Sequence, residues 1–424
     1  MTWRQAPLGD EGPLLAPLTG EGDCFDINAL FIIELDRSAC GRGYRPRARL
    51  GGRSDRPGRV LQGGGLPKSW SGCRLEGEPH GAKRRVGEPG AGQTDMRQRR
   101  QAGLMQMRRF RFDMQDGQMA GISFGDAARQ VEVLFLHATG FNAITYQSLL
   151  QPLGSLAHCA ALDLRGHGRS TLYAKPALMK SWNRFRDDVI QFLEKEAPRG
   201  AVLGGHSMGA TVALLVAGRR PDLVKGLVLT DPVLLKPEFY RWFNLPLLGD
   251  LTPKTPLARQ AIRRRRDFES PGEAAEFLRG RGAFKTWRNP FLDDYVIDGV
   301  LRQDNGAFAL ACTPEWEAAV FTAHRYLPWS ALAKLRRRRM PIVVLQAEKG
   351  STSRPDTDAR FHAVRPDSAV THVPGTTHFI PMERPYVVRD ALRLLYEATI
   401  DGAESLDYVG AVRRTINDSI GVMD

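Results

Sequence analysis

The stretch Val202-Leu203-Gly204-Gly205-His206-Ser207-Met208-Gly209-Ala210 decides how this chain is read. An apolar run breaks at a serine with glycines two residues before and two after it. It then resumes as Ala210-Thr211-Val212-Ala213-Leu214-Leu215-Val216-Ala217. The first run has the composition of a buried strand, and the second that of a buried helix. In a G-x-S-x-G corner between strand and helix, the glycines let the backbone turn without Cβ clashes, and the serine hydroxyl stands exposed at the tip. Gly205 and Gly209 fill those two positions, so Ser207 is a candidate nucleophile.

Working outward, strand-like and helix-like segments alternate on both sides of this corner. Upstream, Phe110-Arg111-Phe112-Asp113-Met114 and Met119-Ala120-Gly121-Ile122-Ser123-Phe124 alternate across Asp116-Gly117, the signature of an antiparallel hairpin. Buried strands are expected over 131–136 and 158–164. A helix over 182–196 is marked by Phe185, Val189, Phe192 and Leu193 at helical spacing. Downstream, strands are expected over 226–232, 341–346 and 368–373, with helices near 356–364 and up to about residue 398. This alternation predicts an α/β fold with a mostly parallel central sheet flanked by helices. The rhythm breaks over 233–334, which carries aromatic, leucine-rich and arginine-rich segments and reads as a helical cap with no buried strand. The expected organisation is a core of 107–232 and 335–398, the cap at 233–334, and a polar tail at 399–424 with no assignable role.

Residues 1–106 are rich in Gly, Arg and Pro with little apolar periodicity, and such a composition buries too little surface to offset chain entropy. Disorder is expected there. The methionines at 105 and 107 raise the hypothesis that native translation starts near them; peptides from residues 1–90 in the native protein would refute it. Of the 424 residues 42% are hydrophobic, and no stretch approaches the roughly 20 apolar residues of a membrane helix. The start of the chain lacks a signal-peptide layout, so the expectation is a soluble, cytoplasmic protein without membrane insertion. Five widely spaced cysteines without a C-x-x-C pair signal neither disulfides nor zinc. The net charge of +13 owes much to the N-terminal region and to the Arg263–Arg266 and Arg336–Arg339 clusters, which read as solvated helix ends. No nucleic-acid motif accompanies them, and the glycine runs at 63–65 and 90–92 lack the Lys-Ser/Thr ending of a phosphate loop. Neither a metal, a cofactor nor a nucleic-acid partner is expected, and the oligomeric state is left open.

Four stretches in order, His137-Ala138-Thr139-Gly140, 163–170, 205–209 and Gly375-Thr376-Thr377-His378, make the region 108–398 resemble the α/β-hydrolase superfamily with a helical cap. The chain order of serine before histidine agrees with it. A serine hydroxyl needs a base, and His378, on a loop after the last strand, is the candidate. The resemblance implies that the backbone N–H groups of Thr139 and Met208 form an oxyanion hole, with Ala138 standing where glycine is more usual. His206 reads as packing and His137 as structural within its loop.

The third member of the triad departs from the pattern. Where the superfamily commonly has G-x-x-D, this chain has Ala347-Glu348-Lys349-Gly350. Asp231, at the end of the preceding strand, is the first replacement, Glu348 the alternative, and Asp356 or Asp358 further options. Asp231 also reads as a simple turn cap before Pro232. A serine nucleophile disfavours the epoxide hydrolase and haloalkane dehalogenase branches, which attack with aspartate. The expected activity is hydrolysis of a carboxylic ester, lactone or thioester of a small to medium apolar substrate through an acyl-enzyme on Ser207. A carbon–carbon bond hydrolase and a non-catalytic binding protein of the same fold are the alternatives. Trp242, Phe243, Trp287, Phe308 and Trp316 are candidate pocket walls.

Overall fold

The computed structural model describes residues 105–245, 255–353, 356–400 and 408–421. The expectations for 1–104, and Cys24, Cys40 and Cys73 with them, lie outside the described residues. Eleven strands are present among the described residues: β1 (Arg108–Met114), β2 (Gly117–Phe124), β3 (Val133–Leu136), β4 (Cys159–Leu162), β5 (Ala201–His206), β6 (Val224–Thr230), β7 (Asp267–Phe268), β8 (Val300–Arg302), β9 (Phe308–Leu310), β10 (Ile342–Ala347) and β11 (Ala369–Val373).

Eight of them form one sheet in the order β1-β2-β4-β3-β5-β6-β10-β11. The first two pairings are antiparallel and the rest parallel. The hairpin turns at Gly117, whose φ of 139° suits glycine.

Alternation along the strands sorts the core. Leu134, Leu136, Leu203, Leu227 and Leu229 join one apolar cluster with Phe185, Val189 and Phe192 of the helix Asn183–Glu196 and with the helix Met208–Arg219. Val133, Phe135, Val202, Val228 and Val343 join the other, against Val387, Ala391 and Leu392 of the helix Pro385–Ile400. Strands buried on both faces read as continuous apolar runs, which is why the sequence displays them so plainly.

Arg165 is 2% exposed and holds two carboxylates, Asp116 from the hairpin turn and Asp188 from the helix Asn183–Glu196. This pairing ties the hairpin, the loop after β4 and a flanking helix together. Its side-chain hydrogen bond and charge hold the Asp116 carboxyl below the usual carboxylate range.

Three expectations need correction. The segment 233–334 is not purely helical: β7, β9 and β8 form a small antiparallel sheet among its helices. These strands have two or three residues, too few to display a period-2 pattern. The region after 399 is more than a polar tail, because Tyr408–Gly421 is helical, packs against Pro385–Ile400 and buries Val412. Within the basic cluster that follows the helix Pro256–Ile262, Arg264 is ion-paired with the buried Glu317, whereas Arg336–Arg339 are exposed as expected. Cys159 and Cys312 are buried free thiols. Among the described residues no helix is long and apolar enough to cross a membrane.

Candidate active site

The corner at 205–209 is as tight as its glycines demand. A Cβ on Gly205 would lie 2.4 Å from the Gly209 carbonyl carbon, and one on Gly209 would lie 2.1 Å from the Leu136 carbonyl oxygen. Ser207 sits between β5 and the helix Met208–Arg219 with φ 56° and ψ −115°, and its N–H donates to the Thr230 carbonyl at 2.9 Å. Among the described residues, Ser207 and Asp231 are the two non-glycine residues with positive φ. Such conformations cost on the order of 1–3 kcal/mol each and persist only where the surroundings over-determine them.

Asp231 follows β6 directly, and β6 lies beside β10, so its carboxylate reaches the end of that neighbouring strand. One oxygen accepts from the Ala347 N–H at 3.0 Å and the Ser351 hydroxyl at 2.5 Å. The other accepts from the Thr352 N–H at 2.9 Å and from His378 Nδ1 at 2.6 Å. Asp231 is fully buried, and burial alone would raise its pKa. The hydrogen bond and charge of His378, with the donors from Ala347 and Ser351, outweigh that and hold the carboxyl below its usual range.

His378 is 4% exposed on the loop after β11. That loop is held by Thr376 Oγ1 on the Val373 carbonyl at 2.6 Å, and by the Thr377 N–H and hydroxyl on the Glu383 carboxylate at 2.7 and 2.6 Å.

Of the candidate acids, then, the structure brings Asp231 to His378 and leaves the others elsewhere. Glu348 is exposed and accepts from the Gly375 N–H. Asp356 pairs with Arg360, and Asp358 lies 3.8 Å from His372.

The loop after β3 brings Thr139 over the first turn of the helix Met208–Arg219, where its hydroxyl meets Met208 Sδ at 3.4 Å. Two neutral histidines fix this loop. His137 Nδ1–H donates to the Ala138 carbonyl at 2.8 Å while Nε2 accepts from the Leu164 N–H at 2.9 Å. His167 Nδ1–H donates to the Arg165 carbonyl at 3.0 Å while Nε2 accepts from the Gly140 N–H at 3.1 Å. Each ring donates at one nitrogen and accepts at the other, which only the neutral form can do. Burial agrees, pushing His137 well below its usual value and His167 down to about 4. His137 is therefore structural, as expected, and the 163–170 stretch serves to pin the Thr139 loop.

The wall residues divide. Trp287 stands edge-on to Phe141 at 5.0 Å and 6.0 Å from Phe379, the neighbour of His378. The other four do not have that placement. Trp242 is 56% exposed, and Phe243 packs against Phe239 and His324. Phe308 belongs to β9, and the Trp316 indole N–H donates to the Arg165 carbonyl at 3.0 Å. Residue type in a cap segment does not say which aromatics turn inward. Phe141, Phe379 and Tyr295 surround Trp287 and are not among the wall candidates of the sequence, although Phe141 and Phe379 adjoin recognisable loops. Over the loop after β3, a Cβ on Gly140 would meet Glu317 Oε1 at 2.5 Å, so the Arg264–Glu317 pair is stacked on this turn. Among the described residues no group of three or more His, Cys, Asp and Glu side chains is arranged to hold a metal ion.

Comparison with known proteins agrees with this fold. A profile of the alpha/beta hydrolase family matches residues 133–391, and the chain belongs to that family. Over 269 residues it is 26% identical to the 2-(acetamidomethylene)succinate hydrolase of Mesorhizobium japonicum, covering 63% of this chain and 88% of that protein. It is 28% identical over 231 residues to the pimeloyl-[acyl-carrier protein] methyl ester esterase of Cronobacter sakazakii, covering 46% of this chain and 86% of the relative. The crystal structure of an E-2-(acetamidomethylene)succinate hydrolase superimposes with a TM-score of 0.56 at 21% identity, covering 69% of this chain and all of that one.

Proposed function

We propose that this hydrolase cleaves carboxylic esters, or the closely related lactones and thioesters, of small to medium apolar substrates through an acyl-enzyme on Ser207. The observation that carries the reading is the buried 2.6 Å contact between His378 Nδ1 and Asp231, beside a serine held at positive φ. With Nδ1–H donated to the carboxylate, Nε2 is the nitrogen left to take a proton. In the first half-reaction His378 removes the Ser207 hydroxyl proton as Oγ bonds to the substrate carbonyl carbon. The carbonyl oxygen takes the negative charge and is received by the N–H groups of Thr139 and Met208. The imidazolium then protonates the leaving alcohol, and the carbon–oxygen ester bond breaks. Water repeats the sequence with His378 as base, releasing the acid and restoring Ser207. Phe141, Trp287 and Phe379 supply an apolar wall, which favours an acyl group without charge on that side. One relative is a methyl ester esterase, and Ser207 supplies the hydroxyl that an acyl-enzyme requires.

The test is labelling with a fluorophosphonate probe followed by turnover of a chromogenic ester series. Labelling of the parent protein that disappears in Ser207→Ala, with ester turnover, is the expected result. A folded parent that the probe leaves unlabelled refutes the reading and leaves a binding protein. Labelling with turnover of a vinylogous diketone and none of the esters moves the assignment to carbon–carbon bond hydrolysis.

A further inference from the structure

The residue before the nucleophile does more than pack. His206 is fully buried, with Nε2 2.8 Å from the His378 carbonyl oxygen and Nδ1 2.8 Å from the Tyr146 hydroxyl. A carbonyl oxygen only accepts, so Nε2 carries the hydrogen. In the neutral ring Nδ1 is then an acceptor, and the Tyr146 O–H donates to it. The tyrosine oxygen in turn accepts the Ala138 N–H at 3.2 Å. Every group in this chain is buried: Tyr146 and His206 at 0%, Ala138 and His378 at 4%. Hydrogen bonds thus run without interruption from the loop that carries Thr139, through Tyr146 and His206, to the backbone of His378.

From this geometry we infer that Tyr146 and His206 are positioning residues that lock the base and the oxyanion donors into one rigid unit around Ser207. The inference rests on the proposed serine chemistry for its kinetic consequence, and on the hydrogen bonds alone for its structural one. Asp231 orients the imidazole ring of His378, and nothing in that contact fixes where the ring's own backbone sits. His206, the residue adjoining Ser207, holds that backbone at the His378 carbonyl, in addition to the Thr376 and Thr377 bonds that hold the loop. Tyr146 extends the same constraint to Ala138, whose successor Thr139 supplies an oxyanion donor. The Tyr146 ring is separately packed on Phe135 at 4.8 Å, so its hydroxyl can be removed while the packing stays. A misplacement of reacting groups by about 1 Å costs on the order of a hundredfold in rate.

The experiment compares Tyr146→Phe, His206→Leu and His206→Gln with the parent, reading the rate of fluorophosphonate acylation, kcat and KM separately, and the thermal midpoint. Tyr146→Phe is expected to slow acylation and lower kcat by roughly 10- to 100-fold with KM changed by less than about twofold. His206→Leu shows an equal or larger loss. His206→Gln, whose side-chain amide can donate to the same carbonyl, recovers most of it. The double variant Tyr146→Phe/His206→Leu is no slower than His206→Leu, because both break one chain. Acylation of a folded Tyr146→Phe at the parental rate, or equal loss in the Leu and Gln variants, overturns the inference. Should the parent fail to label at Ser207, the proposed chemistry falls and the relay is still tested by hydrogen exchange at the Ala138 amide. Tyr146→Phe accelerates that exchange if the relay exists, and unchanged exchange refutes it.

Discussion

Replacing Asp231 by asparagine tests the assignment that sequence left open, and the structure sets how large the effect should be. The carboxylate receives Ala347 N–H and Ser351 Oγ on one oxygen, and Thr352 N–H and His378 Nδ1 on the other. An asparagine amide must place its NH₂ against one of these sets. Facing Thr352 and His378, it would oppose two donors. Facing Ala347 and Ser351, it opposes one fixed backbone N–H, because the serine hydroxyl can turn to accept. The second placement costs less. It strands the Ala347 N–H, a penalty of about 1–3 kcal/mol in stability. It also keeps the His378 Nδ1–H bond and the productive tautomer, so what catalysis loses is chiefly the charge opposite the imidazolium. Breaking a buried charged pair costs about 3–5 kcal/mol, which at 1.36 kcal/mol per decade is roughly 10²- to 10⁴-fold in kcat. The assay is stopped-flow hydrolysis of a p-nitrophenyl ester, with thermal unfolding run alongside. Glu348→Gln is the control, expected within about twofold of the parent because that side chain is exposed and does not reach His378. An Asp231→Asn enzyme within tenfold of the parent would refute the assignment, and a collapse in Glu348→Gln would transfer the role.

Two further outcomes follow from the packing and from the buried imidazoles. Gly209→Ala drives a methyl group to 2.1 Å from the Leu136 carbonyl oxygen, a backbone atom that cannot turn aside, so the variant should lose at least about 1–3 kcal/mol in denaturant unfolding; a neutral result would mean the elbow is looser than described. His167 and His206 have pKa values pushed down to about 4 and about 3, so between these values and the ordinary 6.5 the unfolded chain binds protons that the folded chain refuses, and stability falls as pH drops from about 6.5 towards 4. Asp163, raised by burial to about 7, titrates in the opposite sense, so the decisive measurement is the change in slope: the thermal midpoint of His167→Asn should depend less steeply on pH over that window, and an unaltered slope contradicts the neutral-imidazole account.

The sequence by itself determined the corner at Ser207, the parallel strands and the loop carrying His378. The reason is local. A turn that brings Gly209 against Leu136 admits no Cβ, and strands buried on both faces are written as unbroken apolar runs, so sterics and burial leave their mark residue by residue. What only the tertiary structure decided was lateral order and partnership. Asp231 and His378 lie 147 residues apart, and they meet because β6 lies beside β10 and β10 beside β11, an order that hydrophobic periodicity does not encode. Glu348, in the loop after β10, stays open in the sequence as the alternative to Asp231, and burial separates the two carboxylates. The histidines make the same point: His137, His167, His206 and His378 are one residue type in four glycine-rich or apolar contexts, and their different tasks follow from which carbonyl, amide or carboxylate the fold sets against each ring.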